Sequence, residues 1–219
     1  MAETSQIKFL GDVIHSSGSL NVTIDERYNK AIGLRTRLQS ITSDISLGSF
    51  HFEICLIMRQ AVYINSILVN CESWNYLSKN QIAKLETSDA SFLQICFNSC
   101  SKVVQDAFYI KMGIIKMRHI IAQRHISFLH NILKRDTQSI LRRVYELQRI
   151  KAKKFDWAQT MANDLNFYGI NMTNSEISQM SKGSFSKIVK KHIFRKSFSE
   201  LCQTSKSQTK NIIKKCQAR

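Results

Sequence analysis

Proline is absent from this chain of 219 residues, and glycine occurs only seven times. These residues end helices and shape tight turns, so their scarcity favours helices joined by short polar connections. A mainly β protein would need many more turn residues. Apolar residues make up 43% of the chain, which is typical of a globular protein and excludes full disorder. The predicted fold class is therefore mainly α.

None of the six cysteines forms a C-x-x-C pair, and the N-terminal MAETSQ has neither a basic start nor an apolar signal core. We therefore expect an intracellular protein, in the nucleus or the cytoplasm, with reduced thiols that pack as small hydrophobes. Two pairs have helical spacing, Cys96 with Cys100 and His51 with Cys55, but a zinc site needs four ligands close together. No metal site and no catalytic residue are predicted.

A long uninterrupted apolar run is also missing. The most apolar stretch, residues 54–69, contains Arg59, Gln60, Asn65 and Ser66, so it predicts a buried helix over residues 50–69 rather than a membrane span. Apolar spacing predicts further helices over residues 25–43, 79–97, 117–134, 137–151, 156–168 and 184–203.

Several helix ends are also predicted. Asp25 and Asp136 are expected to cap the helices that follow them, and capping boxes are expected at Ser78 with Gln81 and at Thr173 with Glu176. The helix over residues 137–151 is expected to bury Ile140, Val144 and Leu147.

Acidic residues are scarce in two parts of the chain. Residues 111–154 contain 12 lysines and arginines against 2 acids, and residues 182–219 contain 11 against 1. The remainder is nearly balanced, with 9 against 10 in residues 1–110 and 0 against 3 in residues 155–181. Segregated positive charge suits a polyanion, because each neutralised phosphate releases condensed counterions. A solvated surface is the alternative, although such a surface mixes the two signs more evenly.

The chain opens with a strand-like stretch, KFLGDVI, inside a strand predicted over residues 7–14 with Gly18 in the following turn. Helical phrases follow in this order: DERYNKAIGLRTRLQSI, FEICLIMRQAVYINSILVNCESW, LETSDASFLQICF, DAFYIKMGI, HIIAQRHISFLHNILKRD, KKFDWAQTMANDLNFYGI and EISQMSKGSFSKIVKKHI. Together they resemble the thumb and connector of a non-LTR (LINE-like) retrotransposon reverse transcriptase. In that family a K-[YF]-L-G strand lies in the primer-grip hairpin after the catalytic palm.

The resemblance implies a domain order and a short N-terminal β-hairpin remnant. Residues 1–24 would be the end of the palm, residues 25–154 the helical thumb and connector, and residues 155–219 a basic helical segment with a frayed tail. The family's two catalytic metals are held by an aromatic-x-Asp-Asp motif. No Asp-Asp dipeptide occurs here, so magnesium would belong to a missing palm. We therefore expect a fragment or relic with no cofactor and no polymerase activity alone.

Nucleic-acid contacts are expected at the primer grip and in both basic blocks. The resemblance implies Lys8 and Gly11 as primer-grip positions, where glycine lets the backbone approach a primer closely. The other predicted contacts are Arg118, Arg124, Lys134, Arg135, Arg142, Arg143, Arg149, Lys187, Lys190, Lys191 and Arg195. They would hold the phosphate backbone without reading its sequence. The expected partner is RNA, DNA or an RNA–DNA hybrid, without a membrane or a small-molecule substrate.

Rival interpretations stay open. The helices would otherwise form a protein-interaction or scaffold module with no nucleic-acid role, its basic surface facing an acidic partner. The basic helix over residues 184–203 also suits an anionic membrane surface, although no anchor or lipidation motif accompanies it. His125 is expected in the core, while His119 or His130 is a candidate neighbour of phosphate. Trp74, Trp157, Phe108 and Tyr109 are expected in the core rather than stacked on bases.

Overall fold

A computed structural model describes residues 6–9, 12–15, 19–44, 51–96, 106, 109–110, 112–151 and 156–217. The chain divides into two compact units. The N-terminal unit comprises Met1–Asn70 and Leu77–Gln105, and the C-terminal unit comprises Cys71–Tyr76 and Asp106–Arg219. The described residues are mainly helical, which confirms the predicted fold class.

The first described residues form two short antiparallel strands, β1 (Gln6–Phe9) and β2 (Asp12–His15). Phe9 pairs with Asp12, and Gln6 pairs with His15. The single strand predicted over residues 7–14 is therefore wrong, because the register divides that stretch between two paired strands. The predicted turn glycine, Gly18, lies outside the described residues.

Three helical segments follow in the N-terminal unit. They are α1 (Asn21–Asp44); α2 (His51–Met58), which continues through a π-helical turn (Arg59–Ile64) into α3 (Asn65–Ile67); and α4 (Lys79–Cys96). Thus the buried helix predicted over residues 50–69 is present, with a π-helical turn inside it.

The start of α1 differs from the prediction. The helix begins at Asn21, whose backbone N–H donates a hydrogen bond of 3.2 Å to Ser19 Oγ. Asp25 lies inside the first turns and forms an ion pair with Lys84 on α4. The cap predicted at Asp25 is therefore wrong, because this carboxylate binds a side chain of another helix instead of backbone N–H groups.

The start of α4 confirms a prediction. The backbone N–H of Ser78 donates to Gln81 Oε1 at 2.8 Å, and that of Gln81 donates to Ser78 Oγ at 3.3 Å. This reciprocal pair is a capping box, and it satisfies two backbone donors at the helix start. The motif is local in sequence, which explains why it was predictable.

A buried ion pair joins the central helix of the N-terminal unit to α4. Arg59 is 2% exposed and Asp89 is 0% exposed. Arg59 donates from Nε to Asp89 Oδ1 at 2.8 Å and from Nη2 to Oδ2 at 2.6 Å. One turn later Tyr63 donates to the Ser88 carbonyl at 2.8 Å, and burial raises the pKa of its phenol. Both polar contacts fix the same register between the two helices.

The C-terminal unit is built around α5 (Met117–Leu133), which contacts each of its neighbours. The neighbours are a 3₁₀ turn (Cys71–Ser73), α6 (Ile140–Lys151), α7 (Trp157–Phe167), α8 (Asn174–Gln179) and α9 (Lys182–Gln217). Their shared core contains Ile126, Leu129, Met161, Ile177, Phe185, Val189 and Ile193. The predicted capping box at Thr173 and Glu176 is confirmed at the start of α8.

The predicted end of α9 at residue 203 is wrong. The helix continues to Gln217, where the prediction placed a frayed tail. Neither proline nor glycine occurs after Gly183, so no residue in this stretch forces the helix to end.

The predicted core face of α6 is wrong. Ile140, Val144 and Leu147 are 79%, 45% and 54% exposed, whereas Tyr145 is buried. Tyr145 packs edge-on against Trp157 at 6.0 Å and donates a hydrogen bond of 3.3 Å to Asn174 Oδ1. Of the two apolar faces of α6, the buried one is the face that contains Tyr145. There the aromatic ring packs against Trp157, and its hydroxyl has a hydrogen-bond partner.

The beginning of α6 also differs from the prediction. The helix starts at Ile140, and Asp136 Oδ1 accepts from the backbone N–H of Gln138 at 2.8 Å in a preceding turn. Asp136 therefore caps that turn and not the helix itself.

Replacing Arg59 by methionine should destabilise the N-terminal unit by about 3–5 kcal/mol, because Asp89 would stay buried without its partner. Hydrogen exchange of the α4 amides, followed by mass spectrometry, measures the opening free energy of this unit directly. Lys84→Met is the matched control, since it breaks an exposed pair worth less than about 1 kcal/mol. Arg59→Met combined with Asp89→Leu should recover most of the loss. Equal effects of Arg59→Met and Lys84→Met would contradict this account.

Candidate nucleic-acid interface

Three histidines of α5 lie in the core of the C-terminal unit. His119, His125 and His130 are all buried. His125 donates from Nε2 to the Cys71 carbonyl at 2.8 Å, and its Nδ1 lies 3.0 Å from Asp164 Oδ2. The prediction of His125 as a hydrogen-bonded core residue is confirmed.

His130 is equally enclosed. Its Nε2 donates to the Met180 carbonyl at 3.1 Å, and its ring stacks on Phe185 with centroids 4.9 Å apart. His119 and His130 were candidate neighbours of phosphate, but both rings are covered by the protein and bonded to it.

His119 is held in its neutral form. Burial, followed by the nearby Arg118 and Lys116 charges, lowers its pKa from 6.5 to about 3. Its Nε2 accepts from Arg118 Nε at 3.4 Å, which leaves Nδ1–H to donate to Tyr168 Oη at 2.8 Å. Glu200 Oε2 lies 3.5 Å from Nε2 of His119, but its ion-pair partner is Arg118 Nη2 at 2.6 Å, since His119 is uncharged.

The cations of the first basic block are divided between paired and exposed groups. Arg118 pairs with Glu200, and both Arg142 and Arg149 pair with Glu146 at 2.9 Å. Nε and Nη1 of Arg142 are buried and have no hydrogen-bond partner among the described residues, so this side chain belongs to the packing of the unit. Arg124 is half-buried. Lys134, Arg135 and Arg143 are exposed and form no ion pair within the described residues, whereas Arg149 is exposed but paired.

The second basic block lies on one side of α9. Its buried side contains Phe185, Val189, Ile193, Ser197 and Leu201. The opposite side exposes all four predicted contacts: Lys187, Lys190, Lys191 and Arg195. Within the described ranges, none of these four cations forms an ion pair. We call this outward side the α9 cation face.

Of the two predicted primer-grip residues, one lies within the described residues. Lys8 lies on β1, opposite Val13. Gly11 falls between the two strands in sequence and lies outside the described residues.

Exposed aromatic side chains are the feature that sequence reasoning missed. Phe194 is 45% exposed, and Phe198 is 41% exposed. The two rings stack with centroids 6.1 Å apart and planes 17° apart. Phe167 is also exposed, and Lys196 Nζ lies 4.6 Å from its ring centroid. The spacing of Phe194 and Phe198, four residues apart and one turn after Lys190, was the available signal.

Two of the four aromatic residues predicted in the core, Trp74 and Tyr109, are buried. Trp157 is half-buried against the core and donates from Nε1 to the Glu72 carbonyl at 2.8 Å. Phe108 lies outside the described residues.

Comparison with known proteins adds no relative, since no protein-family model, curated protein or solved structure matches the chain. In the part of the chain that the structure describes, no group of three or more histidine, cysteine, aspartate or glutamate side chains is arranged to hold a metal ion. None of the described helices is long and apolar enough to cross a membrane.

Lowering the pH should reduce the stability of the C-terminal unit, because His119 is neutral in the folded state and takes up a proton on unfolding. The pKa of His119 is lower in the folded state, so the unfolded chain binds the extra proton between pH 6.5 and about 3. Its contribution to stability is present above pH 6.5 and is lost, by about 1.4 kcal/mol per pH unit, as the pH falls through that range. Hydrogen exchange of α5 amides at a series of pH values measures this slope.

The matched variant is His119→Asn, whose amide can still donate to Tyr168 but does not titrate. Wild type should lose more stability than this variant between pH 6.5 and 4, and the two should run parallel above pH 7. Parallel curves over the whole range would show that His119 does not titrate in this way.

Proposed function

We propose that this chain binds nucleic acid through its phosphate backbone, as the thumb and connector of a non-LTR reverse transcriptase would. The observation that supports this most directly is the α9 cation face. Four exposed cations share one side of the helix, and residues 182–199 contain no acidic residue at all. Such a surface attracts a polyanion by counterion release and does not discriminate between sequences.

The arrangement of α5 and α9 adds cations to the same region. Arg118 near the start of α5 pairs with Glu200 far along α9, while His130 near the end of α5 stacks on Phe185 near the start of α9. The two helices therefore run antiparallel. Lys134 and Arg135 are exposed directly after α5, followed by exposed Asp136. The antiparallel arrangement would bring these two cations near the beginning of α9.

The proposal concerns binding and not polymerisation. The motifs that this chain shares with the family follow the catalytic palm, and the magnesium-binding carboxylates of such enzymes belong to that palm. The β1–β2 hairpin is proposed as the counterpart of the primer-grip hairpin, with Lys8 on its first strand. The rest would serve as a helical clamp inside the cell.

A second candidate function is a protein-interaction module. The exposed apolar side chains of α6 favour it, since Ile140, Val144, Leu147 and Ile150 recur along one helix and are all exposed. A partner with a complementary apolar helix face and an acidic rim would cover them. In that case the cation face of α9 would have no nucleic-acid role.

Removing three cations of α9 should weaken nucleic-acid binding. In Lys190→Gln with Lys191→Gln and Arg195→Gln, we expect at least tenfold weaker binding to a labelled RNA–DNA hybrid at low salt. The slope of log affinity against log salt should fall by about 2–3, because each lost phosphate contact removes about 0.9. Fluorescence anisotropy across a salt series measures both quantities. Arg142 is left intact, because its side chain is packed.

The matched control removes three exposed cations of the N-terminal unit, as Lys30→Gln with Arg37→Gln and Lys79→Gln. It changes net charge equally and should retain nearly wild-type affinity and slope. Absence of any wild-type binding at low salt would reject nucleic acid in favour of the interaction module. Equal losses in both triple variants would reject the α9 cation face as the site.

A further inference from the structure

The outward side of α9 contains two adjacent rows of different chemistry. Side chains four residues apart follow one another along a helix surface. Phe194 and Phe198 follow Lys190 in one row, and Lys187, Lys191 and Arg195 form the neighbouring row. All six side chains are exposed, and this side contains no acid. Aromatic rings therefore lie directly beside a line of positive charges.

The two phenylalanines are oriented as well as exposed. Their rings stack on each other with planes only 17° apart, and about two fifths of each residue stays open to solvent. Parallel ring planes offer a flat partner a place to continue the stack. Contact between rings four residues apart stabilises a helix in water by itself. The solvent-facing part of each ring is still open to a planar ligand.

We propose that the α9 cation face binds single-stranded RNA or DNA, with bases stacked on Phe194 and Phe198 and phosphates along the row of Lys187, Lys191 and Arg195. This proposal rests on the nucleic-acid-binding function above and names the form of nucleic acid. Aromatic stacking beside a basic track is how proteins hold single strands without reading their sequence. The face spans about 16 Å from Lys187 to Phe198 at a rise of 1.5 Å per residue. That length matches about five stacked nucleotides.

A duplex would gain little from the exposed phenylalanine rings. Its bases already stack on one another, so only its phosphates would contact this surface.

An anionic membrane is the other ligand of basic helices that expose aromatic residues. A membrane-surface helix, however, places its apolar side against the lipid and its cations on the opposite side. In α9 the apolar side is buried in the unit, and the rings stand among the cations.

The test replaces both rings by an apolar side chain without a π face, as Phe194→Leu with Phe198→Leu. Affinity for a fluorescein-labelled oligouridylate should fall about tenfold or more by anisotropy. Affinity for a labelled RNA–DNA hybrid duplex of the same length, and its salt slope, should stay within twofold of wild type. Phe167→Leu removes an equally exposed ring outside the two rows and should leave both affinities unchanged.

A direct signal of stacking comes from Phe198→Trp, whose fluorescence should be quenched by the oligouridylate and not by the duplex. The proposal is overturned if the double leucine variant binds the single strand as wild type does. It is also overturned if Phe167→Leu loses as much affinity as the double variant. In both cases, wild-type binding of the hybrid would leave the backbone-binding function standing.

The membrane alternative has its own outcome. Vesicles of equimolar phosphatidylserine and phosphatidylcholine are sedimented with wild type and with the double leucine variant. No cosedimentation of wild type agrees with the proposal. Ring-dependent cosedimentation, together with equal affinity of wild type for single strand and duplex, would overturn the proposal in favour of a lipid surface. Circular dichroism of each variant confirms that the helices are intact.

Discussion

An imidazole ring tolerates burial only when its polar nitrogens find partners, and α5 places three such rings in the core of the C-terminal unit. His119 bonds to Tyr168 after α7, His125 to Cys71 and Asp164, and His130 to Met180 after α8. Each contact fixes a different segment against the same helix. The stack of His130 on Phe185 also holds the first turns of α9 against α5. This contact contributes to which side of α9 faces solvent.

Four acids of the C-terminal unit contact basic side chains of the same unit. Glu200 holds Arg118, Glu146 holds Arg142 and Arg149, and Asp106 holds Lys116 at 3.0 Å. Asp164 faces His125. The charge imbalance of the sequence is therefore not spread evenly over the unit. It is greatest on the outward side of α9, where residues 182–199 contain no acid. Backbone binding by those cations is thus the function that the charge distribution supports best.

Local patterns were predictable, and distant pairings were not. The capping boxes at Ser78 and Thr173 each use two residues three apart, and the structure has both. Arg59 and Asp89 are thirty residues apart, so the local sequence around either residue did not predict their contact. Periodicity found the helix of α6, but it assigned Ile140, Val144 and Leu147 to the core, where the structure exposes them. Spacing shows that a helix has an apolar face, whereas only the neighbouring elements decide which of two faces is covered.

Affinity for nucleic acid and preference for a single strand would come from different side chains of the α9 cation face. The ammonium and guanidinium groups provide binding that salt weakens, because it depends on counterion release. Stacking on Phe194 and Phe198 involves neutral rings, so salt screens it far less. Rising salt should therefore weaken binding of every nucleic acid, because all of them depend on the cations. The factor by which stacking favours a single strand should change little with salt, since that factor comes from neutral rings. The rings are therefore what would make this surface selective, and the cations are what would make it bind.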